Sequence, residues 1–232
     1  NEEFRLRASD GHYLWYRLRC RPVVGADGEV VRIVGTLVDV TDERMAQERL
    51  LHDAVHDNLT GLPNRELFFD RLEATLANGR GDSPRPTVLC VDLDRFKQIN
   101  EGVGISTGDS ILLTAARRMS RLLQPQDTLA RISADTFAII VVSETNPEHV
   151  VQLAEAIRRA LGTPVSFADR EIALSASVGI ALYDPQMHGK RDDMLKDAEI
   201  AMRFAKRVGG NRIEVFRPGM RAQRSDRLAL EA

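Results

Sequence analysis

Cysteine is scarce in this chain: Cys20 and Cys90 are the two present. They stand apart with no metal-like spacing, which excludes a disulfide scaffold and a cysteine-built zinc site and fits reduced thiols in a cytoplasmic protein. No sign of charge predominates. The formal net charge of −2 over 232 residues gives no reason to expect a nucleic-acid or membrane-surface partner. No apolar run approaches the roughly 20 residues that cross a bilayer, so no membrane segment is expected. The N-terminus carries no apolar signal region and starts as if inside a domain. There is no internal repeat and no low-complexity stretch. What remains is ordinary for a globular protein, 43% hydrophobic and 28% charged, with room for one medium domain and a smaller piece.

The hydropathy pattern changes character near residue 57. Before it, alternating residues at 4–8, 12–24 and 30–40 predict a β-meander, with a turn at Ala26-Asp27-Gly28. Thr41 or Asp42 is placed to cap a helix carrying Met45, Leu50, Leu51 and Val55 on one side, a connecting rod or short dimer coil. After it, helices and strands alternate. Helices are expected from Pro63-Asn64 through Leu76, and over 109–123, 147–161 and 192–208. Strands are expected over 87–93, 172–182 and 213–216, and a loop over 79–86. Between them, 127–132 and 137–142 frame a tight hairpin turn, Ser133-Ala134-Asp135-Thr136. Helices against a sheet with a central hairpin make an α+β sandwich.

Several ordered fragments over about 55–217 resemble the GGDEF family, whose active members condense two GTP into cyclic di-GMP. They are Asp57-Asn58-Leu59-Thr60-Gly61-Leu62-Pro63-Asn64-Arg65, Val91-Asp92-Leu93-Asp94-Arg95-Phe96-Lys97-Gln98-Ile99-Asn100, Gly108-Asp109 and Ser177-Val178-Gly179-Ile180. Asp197-Ala198-Glu199-Ile200-Ala201-Met202, Ala205-Lys206 and Gly209-Gly210-Asn211 complete the set. Residues 1–44 resemble the last strands of a PAS sensor domain, and 220–232 look like the lead-in to an EAL phosphodiesterase domain. The resemblance implies a palm-like nucleotidyl-cyclase sheet flanked by helices, after a PAS strand remnant and a connecting helix. The implied division is 1–40 PAS-like strands, 41–56 signalling helix, 57–217 degenerate GGDEF domain and 218–232 linker toward an EAL domain.

The resemblance also supplies roles. Asp92, with the Leu93 carbonyl, matches the magnesium ligands, and oxygen donors at a strand end suit that ion. Arg95 and Phe96 match positions whose amides approach phosphate. Lys97 matches a lysine that offsets charge on the transferring phosphoryl group, and Lys206 one directed at the terminal phosphates. Asn100 and Asp109 match the guanine-binding pair. Each has an ordinary structural alternative: Asp92 as a helix cap, the lysines as solvated side chains, Asn100 as the end of a short helix and Asp109 as the cap of the next.

The signature Gly-Gly-Asp/Glu-Glu-Phe stands here as Ser133-Ala134-Asp135-Thr136-Phe137. Ser133 and Ala134 are expected to penalise a left-handed turn by roughly 1 kcal/mol each. Asp135 keeps one acid, and Thr136 replaces the second, a metal ligand, with a neutral hydroxyl. Ile105 stands where the family usually has histidine, and Gly210 where arginine is frequent. Gln124 replaces the arginine of the product-inhibition motif, whose other member, Asp127, is kept; glutamine offers no charged bidentate fork. The expectation is a non-catalytic regulatory module in cyclic di-GMP signalling that either binds GTP with magnesium or only relays conformation, with a homodimer as a candidate assembly and a phosphodiesterase domain downstream in the same polypeptide. An active diguanylate cyclase is the alternative.

Overall fold

Residues that alternate apolar and polar over 2–39 fold into a three-stranded antiparallel meander of β1 (Glu2–Arg7), β2 (Tyr13–Val24) and β3 (Val30–Asp39). The structure, a computed structural model, describes residues 2–78, 85–167 and 170–221 and divides into a unit of residues 1–54 and a unit of residues 55–232. The helix α1 (Thr41–Val55) follows β3. It does not start by the expected Thr41 or Asp42 cap. The Asp39 carboxylate accepts the Thr41 N–H at 2.9 Å, while Thr41 Oγ1 accepts the Trp15 N–H at 2.8 Å and so ties the helix start to β2. Glu3 accepts from Nε of both Arg17 and Arg44 at 2.7 Å, and these two guanidiniums hold its carboxyl below the usual carboxylate range. No residue of α1 is buried, and Leu50 and Leu51 face solvent.

The second unit runs α2 (Arg65–Asn78), β4 (Thr87–Leu93), α3 (Phe96–Val103), α4 (Ile105–Ser120), β5 (Thr128–Arg131), β6 (Thr136–Val141), α5 (Pro147–Gly162), β7 (Val165–Phe167), β8 (Arg170–Ile172), β9 (Ala176–Leu182), α6 (Asp193–Arg207) and β10 (Ile213–Val215). Five strands form one sheet in the order β10-β9-β4-β6-β5, parallel between β10 and β9 and antiparallel elsewhere. Every residue of β4 is buried, which is why its sequence is a continuous apolar run from Val88 until Asp92. Its period of two sends Leu89, Val91 and Leu93 to one face, against Ile111, Met119, Ile157 and Leu161 of α4 and α5. Val88 and Cys90 point to the other, against Phe68 and Leu72 of α2 and Met194 and Met202 of α6. The result is the expected α+β sandwich, a sheet between two helix pairs. Burial also pushes the Cys90 thiol far up, so it is an inert packing group.

Three local expectations are corrected. Residues 109–123 do not open a helix: α4 begins at Ile105 and ends at Ser120, so Asp109 lies inside it rather than capping it. Asn100 likewise sits within α3 rather than at its end. Ile172 closes the short β7–β8 hairpin, and the long strand begins only at Ala176. The expected loop at 79–86 and the tail beyond 221 lie largely outside the described residues.

The seat of α6 on β9 depends on Gly179. A Cβ there would stand 2.0 Å from the Ala198 carbonyl oxygen and 2.3 Å from the Met202 nitrogen. Replacing Gly179 by Ala is therefore expected to lift α6 off the sheet and destabilise the unit by about 1–3 kcal/mol, read as a lower urea midpoint.

Candidate functional site

The carboxylate of Asp92 ends the apolar run of β4 at the edge of the core, 7% exposed. Two side chains meet it. Lys206, in the last turn of α6, forms an ion pair with Oδ1, and Thr136, opposite Asp92 in the β4–β6 register, donates its hydroxyl to Oδ2 at 3.1 Å. Burial pushes the Asp92 carboxyl above the usual carboxylate range; Lys206 pulls it back, and the nearby charge of Asp135 pushes it further up. The Asp135 carbonyl accepts the Leu93 N–H at 3.2 Å, which pins the hairpin turn to the end of β4. Asp92, Asp135 and Leu93 thus lie together, and the two aspartates bring carboxylate oxygens of the kind a hard cation takes. Among the described residues no third His, Cys, Asp or Glu completes a metal cluster with them.

The remaining positions fall around this centre unevenly. Arg95 adopts a left-handed backbone, φ 56° and ψ 25°, just before α3, leaving the first amides of that helix without intrahelical acceptors. The Phe96 ring is buried in the core, so only its backbone can take part in binding. Lys97 points to solvent, its side chain 90% exposed, with Glu101 4.0 Å away. Asn100 rests against Gly108 of α4, next to Asp109, and its side-chain oxygen is buried without a partner among the described residues. An orphaned polar atom of this kind favours a ligand that donates to it. A cavity of about 700 Å³ opens between Arg95, Gln98, Ser175, Lys206 and Gly210. Ile105 is 75% exposed at the start of α4. Asp127 is fully engaged elsewhere: Oδ1 accepts the amides of Val142 and Ser143, and Oδ2 the Ser143 hydroxyl and the Gln124 amide. It closes the base of the hairpin, with Gln124 exposed beside it.

The signature turn departs from expectation. Among the described residues the non-glycine positions with positive φ are Arg95 and Asn211, so Ser133 and Ala134 avoid the left-handed penalty. Arg131 closes this turn instead. Its Nε and Nη2 donate to the Ala134 carbonyl at 3.2 and 2.6 Å, and its Nη1 reaches both oxygens of Asp57 at 3.0 and 3.1 Å. Asp57 is itself knotted to Thr60 through the Thr60 amide and hydroxyl, at 2.8 and 2.6 Å. Sequence reasoning assigned no role to Asp57 or Arg131. The local signal was half present, since Asp57 and Thr60 have the spacing of a side-chain-capped turn, but nothing in one sequence joins them to Arg131.

Burial raises the Asp57 carboxyl, but hydrogen bonds from Thr60 and Arg131 outweigh it and leave it below the usual range. Stability from this group is therefore present above the unfolded value of about 3.9 and lost as pH falls through the lower folded value. Asp57→Asn is expected to destabilise the unit by about 1–2 kcal/mol at pH 7. The difference from the parent should shrink in melts taken below about pH 4, where the parent loses the same charge.

A protein-family model of the diguanylate cyclase GGDEF domain matches residues 54–212, and one of the PAS fold matches residues 1–37. The chain is 36% identical over 195 residues to the bifunctional diguanylate cyclase/cyclic di-GMP phosphodiesterase MucR of Pseudomonas aeruginosa, covering 84% of this chain and 28% of MucR. It is 35% identical over 159 residues to the diguanylate cyclase TpbB of the same organism, covering 68% of this chain and 36% of TpbB. It thus spans about a third or less of these relatives. Among solved structures, the isolated GGDEF domain of TpbB superposes with a TM-score of 0.69 at 31% identity, over 73% of this chain and 99% of that one. The coiled coil and GGDEF domain of DgcB from Caulobacter crescentus, solved with cyclic di-GMP, superposes at 0.68 and 27% identity, over 76% of this chain and 93% of that one. With its sheet, its helices and most of its length matched in this way, the chain belongs to the GGDEF domain family.

Proposed function

We propose that the GGDEF domain of this chain binds GTP with magnesium without condensing it, and acts as a regulatory module in cyclic di-GMP signalling. The observation that carries this reading is the Thr136 hydroxyl facing Asp92 at 3.1 Å, where the family signature has a second carboxylate. A carboxylate about 4 Å from a cation is worth about 4 kcal/mol at an effective dielectric of about 20. Even with about a third of that recovered by water or phosphate, a rate about 10²-fold lower follows. Magnesium, held by Asp92, Asp135 and the Leu93 carbonyl, would supply charge neutralisation at the phosphates.

Binding has more support than turnover. Lys206 lies at Asp92, ready to turn toward terminal phosphates. The Arg95–Lys97 backbone opens α3 beside the cavity. The buried, unpartnered Asn100 oxygen packed against Gly108, and Asp109 next in the chain after Gly108, suit a guanine edge. In this reading the PAS-like strands report a signal through α1, and the domain passes it to a phosphodiesterase domain further along the polypeptide. The bifunctional relative MucR supports that arrangement. The active cyclase remains the second reading because Asp92, Asp135 and Lys206 are kept in one cluster.

Melting the protein with millimolar GTP and magnesium, then separating the nucleotides by chromatography, tests both. The expected result is a raised Tm, worth about 2.7 kcal/mol at a hundredfold excess over Kd, with GTP recovered intact. Accumulating cyclic di-GMP would establish the second reading, and an unmoved Tm would leave a relay without nucleotide.

A further inference from the structure

Asp94 ends the Val91-Asp92-Leu93-Asp94 run two residues beyond Asp92, and a second carboxylate at that spacing invites assignment as a metal ligand. Its surroundings argue otherwise. Oδ1 accepts the Ser177 hydroxyl at 2.7 Å, and Oδ2 accepts the Ser175 hydroxyl at 2.9 Å and the Asn211 amide at 2.8 Å. The Asp94 N–H donates to the Ser175 carbonyl at 2.8 Å. Three donors already fill most of what a carboxylate can accept, and all come from the start of β9, the segment before it and the turn after α6.

That turn is unusual backbone. Gly209, Gly210 and Asn211 have φ of 119°, 73° and 49° in succession. A Cβ on Gly210 would stand 3.2 Å from Asp94 Oδ2, so the carboxylate fills the space a side chain would need. From the opposite side Arg158 of α5 donates to the Asn211 side-chain and main-chain oxygens at 2.7 and 3.3 Å. On the other flank of Asp94, Arg95 is the second non-glycine residue with positive φ among the described residues. Left-handed non-glycine backbone costs of order 1 kcal/mol or more and persists only where its surroundings over-determine it. Here both such residues, Arg95 and Asn211, are attached to one carboxylate, the first by the chain and the second by its amide.

We infer that Asp94 is a positioning residue of the nucleotide pocket: it locks the turn after α6 to the start of α3, and so fixes the Lys206 ammonium and the Arg95–Lys97 amides in one frame. Lys206 lies in the last turn of α6, four residues before Gly210, whose amide bonds back to the Ala205 carbonyl at 3.0 Å. The inference rests on the proposed reading of this cavity as a nucleotide site. It adds that the second aspartate of the run acts through the backbone and not through the cation.

The test compares the parent chain with Asp94→Asn, whose amide group cannot accept from all three donors, and with the milder Ser177→Ala. Amide hydrogen exchange at 95–97 and 209–211 is read alongside GTP affinity over a range of magnesium concentrations. The expected result is exchange faster by about tenfold at both segments, GTP binding about tenfold weaker, and an unchanged magnesium midpoint. Unchanged exchange at those segments, or GTP binding fully restored by added magnesium, would overturn the inference in favour of a metal-ligand role. If the parent binds no GTP, the proposed function fails, and the exchange comparison still decides the role of Asp94. If Asp94→Asn does not fold, Ser177→Ala is read by the same criteria.

Discussion

The buried carboxylate of Asp92 is the constraint on which the rest of this domain depends. It lies one residue before the end of a strand that is buried throughout, so its charge needs a partner where water is largely excluded. Lys206 supplies that partner from α6 and Thr136 a hydrogen bond from the neighbouring strand. Both partners are only as well placed as the elements that carry them. α6 is set by its close approach to Gly179 on β9, and β6 by its register with β4. The packing of the core and the chemistry of the site are therefore one problem, solved at the ends of β4, β6 and β9.

The altered signature loop belongs to this frame rather than to a decayed one. Ser133 and Ala134 occupy a turn with ordinary backbone, tied through Arg131 to the Asp57–Thr60 knot that follows α1 in sequence. With serine and alanine at 133 and 134 the turn keeps an ordinary backbone held by Arg131. What changed is the chemistry presented to Asp92, one acid fewer and one hydroxyl more. On the proposed reading, a pocket of that composition receives a nucleotide through amides, Lys206 and the Asn100–Asp109 pair. It lacks one of the anionic anchors that in-line phosphoryl transfer draws on.

Much of the architecture was legible in the sequence because it is written in local periodicity. The hairpin around 133–136, the buried strand 87–93 and the helix that carries Lys206 follow from alternation, apolar runs and helical spacing. Short elements were not: α3 has eight residues and starts from a left-handed arginine, and β7 and β8 have three each. Asp109 was misplaced for a related reason. An aspartate ahead of an apolar run looks like a cap, whereas α4 had already begun a turn earlier, at Ile105, with no side-chain cap to announce it. The contacts that organise the site were the least legible. Asp57 with Arg131, and Asp94 with Ser177 and Asn211, join residues 74, 83 and 117 positions apart, and only the folded sheet brings them together.

Turnover of GTP by the parent chain and by Thr136→Glu, measured side by side at equal magnesium, tests the central claim most directly. The account predicts no product above background from the parent and a gain of about tenfold or more when the carboxylate is restored opposite Asp92. Cyclic di-GMP formed by the parent at a rate the substitution does not raise would contradict it.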